Sequence, residues 1–207
     1  MSVNSRRKLL AAGLACAAGL GLAVPAAAAP VVGKAAPAFS AVDAQGKTRS
    51  LAEFKGKTVV LEWTNEGCPY VQKHYGSGAM QALQRKAAAD GVVWLTLVSS
   101  APGKQGYLDA GAAKAWKTKQ KAAYSALLLD PKGEVGRAYE AKTTPHMYIV
   151  DPAGTLVYMG GIDDKPTPDP ASLKGARNYV TAALADLKAG RPVAEAATRP
   201  YGCSVKY

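Results

Sequence analysis

Cysteine is scarce in this chain, which has only three cysteines among 207 residues. Cys16 lies in an N-terminal segment that we expect to be removed, so Cys68 and Cys203 are the two that remain. Two thiols can close one disulfide at most, and that disulfide can be permanent or transient. A fold held together by several disulfides is therefore excluded.

Other features are missing as well. The net charge is +11, but no nucleic-acid-binding motif accompanies it, and the lysines are spread along the chain. The densest group, at 114–121, favours a solvated helix face opposite a core contact made by Trp116. The sequence shows no repeat and no second domain. These absences argue against a nucleic-acid partner and against a repeat architecture.

The first residues have the pattern of an export signal. Arg6, Arg7 and Lys8 precede an apolar run that ends in a proline and several alanines. A charged segment, an apolar segment and small residues at a cleavage site make up a secretory signal, and paired arginines resemble a twin-arginine signal. We expect cleavage after Ala28, which removes residues 1–28 and lowers the net charge from +11 to +8. The expected location is periplasmic or secreted, in a bacterium.

A membrane anchor is the alternative interpretation of this segment. The apolar run is short for a membrane span. Cys16 could mark a lipoprotein, but Gly13 occupies the position where such signals have leucine. We therefore expect no stable membrane anchor.

Cys68 is the most informative residue of the chain because of its neighbours. Residues 58–64 form a β-branched apolar run that predicts a buried strand, and a short polar turn leads from it to Cys68. Pro69 favours the first position of a helix, which puts Cys68 at or next to the N-cap. Unpaired N–H groups and the positive end of the helix dipole there favour the thiolate, which is the nucleophilic form. The alternative is a buried, unreactive cysteine.

Strand and helix patterns alternate along the rest of the chain, which predicts a mixed α/β sheet with helices on both faces. A hairpin is expected at about 39–51. The other predicted strands lie at 58–64, 92–99, 126–129, 146–150 and 155–159, of which 126–129 is expected at or near a sheet edge. Predicted helices lie at 68–91, interrupted at 76–78 and recapped by Ser77, and at 109–124 and 173–189. The segment after Gly190 is expected to be irregular.

Five short patterns together resemble the thioredoxin fold. They are Ala36-Pro37-x-Phe39, residues 46–57, the strand leading to Cys68-Pro69, Thr144-Pro145 before a strand, and Asp151-x-x-Gly154. Over nearly all of the mature chain, the sequence resembles the redoxin group that includes alkyl hydroperoxide reductases and thiol-specific antioxidant proteins. The resemblance implies a thioredoxin-like fold with an N-terminal hairpin extension, with a domain at 29–190 and a tail at 191–207.

The resemblance also implies roles for single residues. Thioredoxins have Cys-x-x-Cys at the helix start, but Val71 occupies the second position here, so Cys203 becomes the candidate resolving thiol. Glu62 matches the buried acid of thioredoxins, which would accept or return a proton during exchange. The alternative for Glu62 is a strand residue that faces solvent at the margin of the sheet.

Pro145 matches the cis-proline of thioredoxins. A cis bond there would bring the Thr144 backbone close to Cys68, where it would pair with an extended substrate chain. The alternative is an ordinary trans proline at a strand start. Peroxiredoxins have Thr or Ser three residues before the reactive cysteine, where this chain has Asn65. His74 is interpreted as a surface or packing residue.

Together these features indicate a thiol–disulfide oxidoreductase that uses Cys68 as nucleophile, with Cys203 as possible resolving thiol and without a cofactor. The expected partners are protein thiols or disulfides, or a small peroxide, and an external thiol reductant. One alternative is a thiol peroxidase with the same two cysteines. Another is a non-catalytic protein that binds a metal through Cys68, His74 and Cys203. A third alternative is that Cys68 and Cys203 form a permanent, purely structural disulfide.

The N-terminal pattern predicts that the exported protein begins at or near Ala29. Intact-mass measurement of protein recovered outside the cytoplasm should show the loss of residues 1–28. Replacement of Arg6 and Arg7 by lysine keeps the charge but removes the arginine pair, so the full-length chain should stay in the cytoplasm. Retention of residues 1–28 in the exported protein would contradict the prediction.

Overall fold

The computed structural model describes residue 1 and residues 29–207. Its strands are β1 (Ser40–Asp43), β2 (Thr48–Ser50), β3 (Val59–Trp63), β4 (Val93–Val98), β5 (Ala126–Leu129), β6 (Thr143–Thr144), β7 (His146–Val150), β8 (Leu156–Gly160) and β9 (Cys203–Ser204). Its α-helices are α1 (Pro69–Gly76), α2 (Ala79–Ala89), α3 (Ala110–Gln120), α4 (Glu134–Ala138) and α5 (Tyr179–Lys188). Short 3-10 helices occupy Leu51–Phe54 and Pro170–Leu173.

Seven strands form one mixed sheet in the order β2-β1-β5-β4-β3-β7-β8. The central strands β3, β4 and β5 are parallel, whereas β7, β8 and the β1–β2 hairpin run antiparallel to their neighbours. Every residue of β3, β4 and β7 is buried, as expected for strands that are covered on both faces. The predicted thioredoxin-like architecture, a mixed sheet flanked by helices with an N-terminal hairpin, is confirmed.

Neighbouring residues of the central strands point into two different cores. Val60 and Trp94 belong to the core that α1, α2, α3 and α5 cover. Leu61 and Leu95 belong to the opposite core, which α4 covers. Each buried side chain of this size contributes about 1.5–3 kcal/mol relative to an exposed one. The two cores thus hold β3 within the sheet, between β4 and β7, and with it the turn that follows β3.

The helix after this turn is interrupted where the sequence predicts. The helix α1 ends at Gly76, and α2 begins at Ala79. The predicted N-cap of α2 is wrong by one residue, because Gly78, with φ of +79°, occupies that position. The Ser77 hydroxyl instead donates back to the carbonyl oxygens of Lys73 and His74 in the last turn of α1.

Two predicted elements need correction. The strand β5 is not at an edge, because the β1–β2 hairpin adds outside it and pairs Val42 with Leu129. The last helix, predicted from residue 173, begins at Tyr179. Gly175 has a φ of +75°, which breaks the helical path, and the Asn178 side chain caps the helix by accepting from Thr181 N at 2.8 Å.

The tail after Gly190 is not irregular to its end, contrary to the prediction. Thr198 N donates to Met159 O of β8 at 3.1 Å. Further along, β9 pairs antiparallel with β6, with Cys203 opposite Thr144. A two-residue strand has no periodicity that a sequence pattern could reveal.

The predicted signal segment lies outside the described residues. Within residues 29–207, no helix is both long enough and apolar enough to cross a membrane.

The docking of the tail should depend on Gly202. A Cβ atom at this position, where φ is +132°, would lie 2.0 Å from Thr144 O. We expect Gly202→Ala to detach β9 from β6, which hydrogen exchange of residues 201–207 would detect as lost protection.

Gly190→Ala is the matched control, because Gly190 also has a positive φ of +68° but no atom within 4 Å of the added Cβ. It should show only the backbone cost of about 1–2 kcal/mol in chemical unfolding and leave β9 protected. Equal loss of hydrogen-exchange protection in both variants would contradict the prediction that docking of β9 depends on Gly202.

Candidate active site

Cys68 lies in the connection between β3 and α1. It is the N-cap residue of α1, with extended backbone (φ −82°, ψ 122°), and Pro69 opens the helix. This is the position that the sequence predicts. The Cys68 side chain is completely buried, with 0% exposure, so a reagent reaches its sulfur only if a neighbouring segment moves.

The segment that covers Cys68 includes the second cysteine. The Sγ atoms of Cys68 and Cys203 lie 2.7 Å apart, and both residues are free thiols. A disulfide bond is about 2.05 Å long, so the sulfurs are in direct contact but not bonded. The structure therefore brings together the two cysteines that sequence analysis singled out, although they are 135 residues apart.

Thr144 and Pro145 form the other wall of this site. The peptide bond between them is cis, as the thioredoxin resemblance implies. The carbonyl oxygen of Thr144 lies 3.1 Å from Cys68 Sγ and accepts from it when Cys68 is a thiol. The backbone edge of Thr144 that would pair with an extended substrate is occupied by Cys203 of β9.

The surroundings shift the two thiol pKa values in opposite directions. Burial opposes ionisation of Cys68, but hydrogen bonds from the Cys203 thiol and the Thr144 side chain outweigh it and lower the Cys68 pKa. Burial, the hydrogen bond to Cys68 and the negative charge on Cys68 raise the pKa of Cys203 to about 11. Cys68 is therefore the more acidic thiol of the pair, and Cys203 is the less acidic one.

Glu62 is fully buried, with 0% exposure, so the alternative of a solvent-facing glutamate is wrong. Its carboxylate accepts from Tyr75, Gln84, Trp94 and Thr96, with distances of 2.8–3.2 Å. Burial raises the pKa of Glu62 despite these donors. None of these partners is a sulfur, so the structure does not join Glu62 directly to Cys68.

Asn65 uses its side chain to hold the turn before Cys68. Its Nδ2 donates to Gln105 Oε1 at 2.8 Å, and its Oδ1 accepts from Gln105 Nε2 and Gly67 N, both at 3.0 Å. The amide donor of Asn65 is thus already engaged. Sequence analysis noted Asn65 in the place of the Thr or Ser of peroxiredoxins, but it did not identify Gln105 as its partner.

A polar cluster beside α1 was also missed. It consists of Lys73 and His74 from α1, Asp163 from the loop after β8, and Tyr201 from the tail. His74 is a buried residue, and burial lowers its pKa to about 4, so it is neutral at pH 7. Only the adjacent pair Lys73-His74, one turn beyond Cys68, could have signalled the cluster.

The metal-site alternative used Cys68, His74 and Cys203. In the structure His74 Nε2 lies 3.4 Å from the Tyr201 hydroxyl and 3.7 Å from Asp163 Oδ2. Across residues 29–207, no group of three or more potential ligands is arranged to hold a metal ion.

A cavity of about 540 Å³ opens beside the tail strand. Residues from four segments line it: Thr143, Asp163, Asp164, Pro166, Tyr179, Arg199, Pro200, Tyr201 and Gly202. Solvent therefore reaches the segment that immediately precedes Cys203, whereas Cys68 stays enclosed.

Comparison with known proteins identifies the family of the chain. Residues 32–159 match the AhpC/TSA family. An uncharacterized conserved protein from Geobacillus kaustophilus is 26% identical, and its structure aligns with a TM-score of 0.71 over 86% of this chain and 92% of that one. No curated protein matches the chain.

Two further structures show the similarity of the fold alone. A hypothetical protein from Sinorhizobium meliloti 1021 is 22% identical, with a TM-score of 0.73 over 86% of this chain and 94% of that one. A thiol:disulfide interchange protein from Bacteroides sp. is 21% identical, with a TM-score of 0.51 over 70% of this chain and 88% of that one.

The contact between the sulfurs predicts that Cys203 controls the Cys68 pKa. Cys203→Ala removes the donor to the thiolate and should raise the Cys68 pKa by roughly one unit or more, because a hydrogen bond to a charged group contributes about 1.5–3 kcal/mol. The thiolate absorbance at 240 nm, followed against pH, measures this. Cys203→Ser keeps a hydroxyl donor and should retain the low pKa. An unchanged titration in Cys203→Ala would show that the contact does not tune Cys68.

Proposed function

The chain belongs to the AhpC/TSA family of redoxin-type thiol oxidoreductases, and we propose that it is an exported thiol–disulfide oxidoreductase whose redox pair is Cys68 and Cys203. The observation that carries the proposal is the 2.7 Å contact of the two sulfurs across the β6–β9 pair. Cys203 takes the part that the second cysteine of Cys-x-x-Cys plays in thioredoxins, where this chain has Val71.

The first step is attack by the Cys68 thiolate on a substrate disulfide, for which the tail that carries Cys203 must move away from the buried Cys68 sulfur. A bond forms between Cys68 Sγ and one substrate sulfur, and the other substrate sulfur leaves as a thiolate. Cys203 then loses its proton and attacks Cys68 Sγ, which releases the remaining substrate thiolate. The two protein thiols are oxidised to one disulfide, and the substrate disulfide is reduced to two thiols.

Regeneration needs an external thiol, and exposure decides which sulfur it attacks. Cys68 is completely buried, whereas Cys203 is partly exposed. The reductant therefore attacks Cys203 Sγ, and Cys68 leaves as the thiolate. This direction is also favoured by the lowered pKa of Cys68, because a thiol of lower pKa is the better leaving group.

Thr144, Pro145 and Glu62 have supporting parts in the proposal. The Thr144 carbonyl and the cis bond to Pro145 form the wall against which Cys68 and Cys203 meet. Glu62 supports the site without contact to sulfur: its carboxylate accepts from the hydroxyl of Tyr75, a residue of α1, at 2.9 Å, which ties the helix that begins after Cys68 to β3.

Peroxide reduction is the second candidate, because a Cys68 sulfenic acid could also be resolved by Cys203. Asn65 argues against it. This residue stands where peroxiredoxins have Thr or Ser, and its amide donor is engaged by Gln105. The Asn65 Nδ2 atom also donates to Gln105 O at 3.4 Å, so a peroxide bound at Cys68 would have to break one of these two bonds to gain a donor from Asn65.

The proposal predicts that oxidation by glutathione disulfide ends in a Cys68–Cys203 disulfide. Peptide mapping without reductant should find this linkage in the wild type. Cys203→Ser should stop at a Cys68–glutathione adduct, and Cys68→Ala should give no linked peptide.

A parallel series with hydrogen peroxide separates the two candidate functions. Thiol–disulfide exchange is favoured if glutathione disulfide forms the Cys68–Cys203 disulfide, while hydrogen peroxide reacts with Cys68 no faster than with an ordinary thiol. Rapid peroxide consumption that is lost in Cys68→Ala would favour the peroxidase. Absence of the linked peptide with either oxidant would overturn the redox pair.

A further inference from the structure

The polar cluster beside α1 takes no part in the proposed exchange chemistry. The side chains of Lys73, His74 and Asp163 are each at most 1% exposed. Tyr201 donates its hydroxyl hydrogen to Asp163 Oδ1, and its oxygen lies 3.4 Å from both Lys73 Nζ and His74 Nε2. The cluster joins three separate parts of the chain: α1, the loop after β8 and the tail.

The central interaction is a buried ion pair. Asp163 Oδ2 lies 3.5 Å from Lys73 Nζ, and it has no hydrogen-bond partner in the described part of the chain. Asp163 Oδ1 accepts from Lys165 N at 2.9 Å and from Tyr201. A buried carboxylate is costly unless its hydrogen bonds are made. The Tyr201 hydroxyl is therefore one of few groups that satisfy it, and a bond of this type is charge-assisted.

The position of Tyr201 relates this cluster to the redox pair. The helix α1 has Cys68 at its N-cap and Lys73 and His74 in its last turn. The tail has Tyr201 and, two residues later, Cys203. The Tyr201 ring also packs against Tyr70 of the first turn of α1, with ring centroids 5.8 Å apart. The tail thus lies along α1 and meets it at the sulfur contact and at the buried cluster.

The chain between the Tyr201–Asp163 contact and the Cys203–Cys68 contact is short. Only Gly202 separates Tyr201 from Cys203, and Thr144 O approaches it so closely that no side chain would fit there. Displacement of Tyr201 would therefore be transmitted directly to Cys203.

We propose that Tyr201 is the positioning residue of the redox pair: its bond to Asp163 holds the tail against α1 and so keeps Cys203 Sγ at Cys68 Sγ. The inference rests on the proposed function, because it concerns the same two cysteines. Tyr201 acts through the backbone to Cys203 and takes no part in bond making.

The consequence is an effect on disulfide closure. When glutathione disulfide oxidises the pair, two protein thiols lose two electrons and two glutathione thiols are released. In the dithiol form a weakened tail can lift away from α1, whereas in the disulfide form the Cys68–Cys203 bond tethers it. Loss of the Tyr201 hydroxyl therefore disfavours closure, through a lower effective concentration of Cys203 at Cys68.

Tyr201→Phe tests this, because it removes the hydroxyl and keeps the ring that packs on Tyr70. The equilibrium constant for closure against a glutathione redox buffer should fall about tenfold, the effect expected for a hydrogen bond to a charged group. Hydrogen exchange in residues 199–207 of the reduced protein should become faster.

Tyr179→Phe is the matched control. Tyr179 lines the same cavity as Tyr201, but its hydroxyl makes no hydrogen bond to any residue in the described ranges. This variant should match the wild type in both measurements. Thermal unfolding of the oxidised forms checks that both variants fold.

Two results would overturn the inference. One is a closure constant for Tyr201→Phe within twofold of the wild type, and the other is an equal loss in Tyr179→Phe. Failure of the proposed function looks different, because the wild type itself would then form no Cys68–Cys203 disulfide in the buffer.

Discussion

The antiparallel pairing of β9 with β6 is the constraint on which the site depends. It puts Cys203 opposite Thr144, and the carbonyl oxygen of Thr144 lies 3.1 Å from Cys68 Sγ. The sulfur contact, the opposite pKa shifts of the two thiols and the complete burial of Cys68 all follow from this one backbone pairing. Without it, nothing would hold Cys203 beside Cys68 at the start of α1.

Burial of charge explains why the tail is held so firmly. Lys73 and Asp163 are taken out of water, which is costly for each ion alone, and the pair is stable only with further hydrogen bonds. Lys73 Nζ donates to Lys165 O at 2.7 Å, and Tyr201 donates to Asp163. The loop after β8 and the tail thus close over α1 together. The need to satisfy the buried Lys73–Asp163 pair therefore helps to hold Cys203 at the N-terminal end of α1.

Glu62 and Asn65 lie at positions where redoxins have reactive side chains, but their hydrogen bonds in this protein limit their availability for chemistry. Glu62 occupies the place of the buried acid, but Trp94 Nε1, at 2.8 Å, and three other side chains occupy its oxygens. Asn65 stands where peroxiredoxins have a hydroxyl, but its amide is paired with Gln105. In both positions the residue type alone suggests a chemical role, and the hydrogen-bond partners decide whether the group is available. Those partners come from distant segments, which a local pattern does not specify.

The sequence by itself determined the alternation of strands and helices and the position of Cys68 before Pro69, because periodicity and capping are properties of adjacent residues. The cysteine count already made Cys203 the candidate partner of Cys68, but only the tertiary structure decided how the two sulfurs meet and that Asp163 pairs with Lys73. These contacts join segments far apart in the chain, through a two-residue strand and a loop without periodicity. Their geometry depends on how the whole sheet packs, so no local pattern of residues could have predicted it.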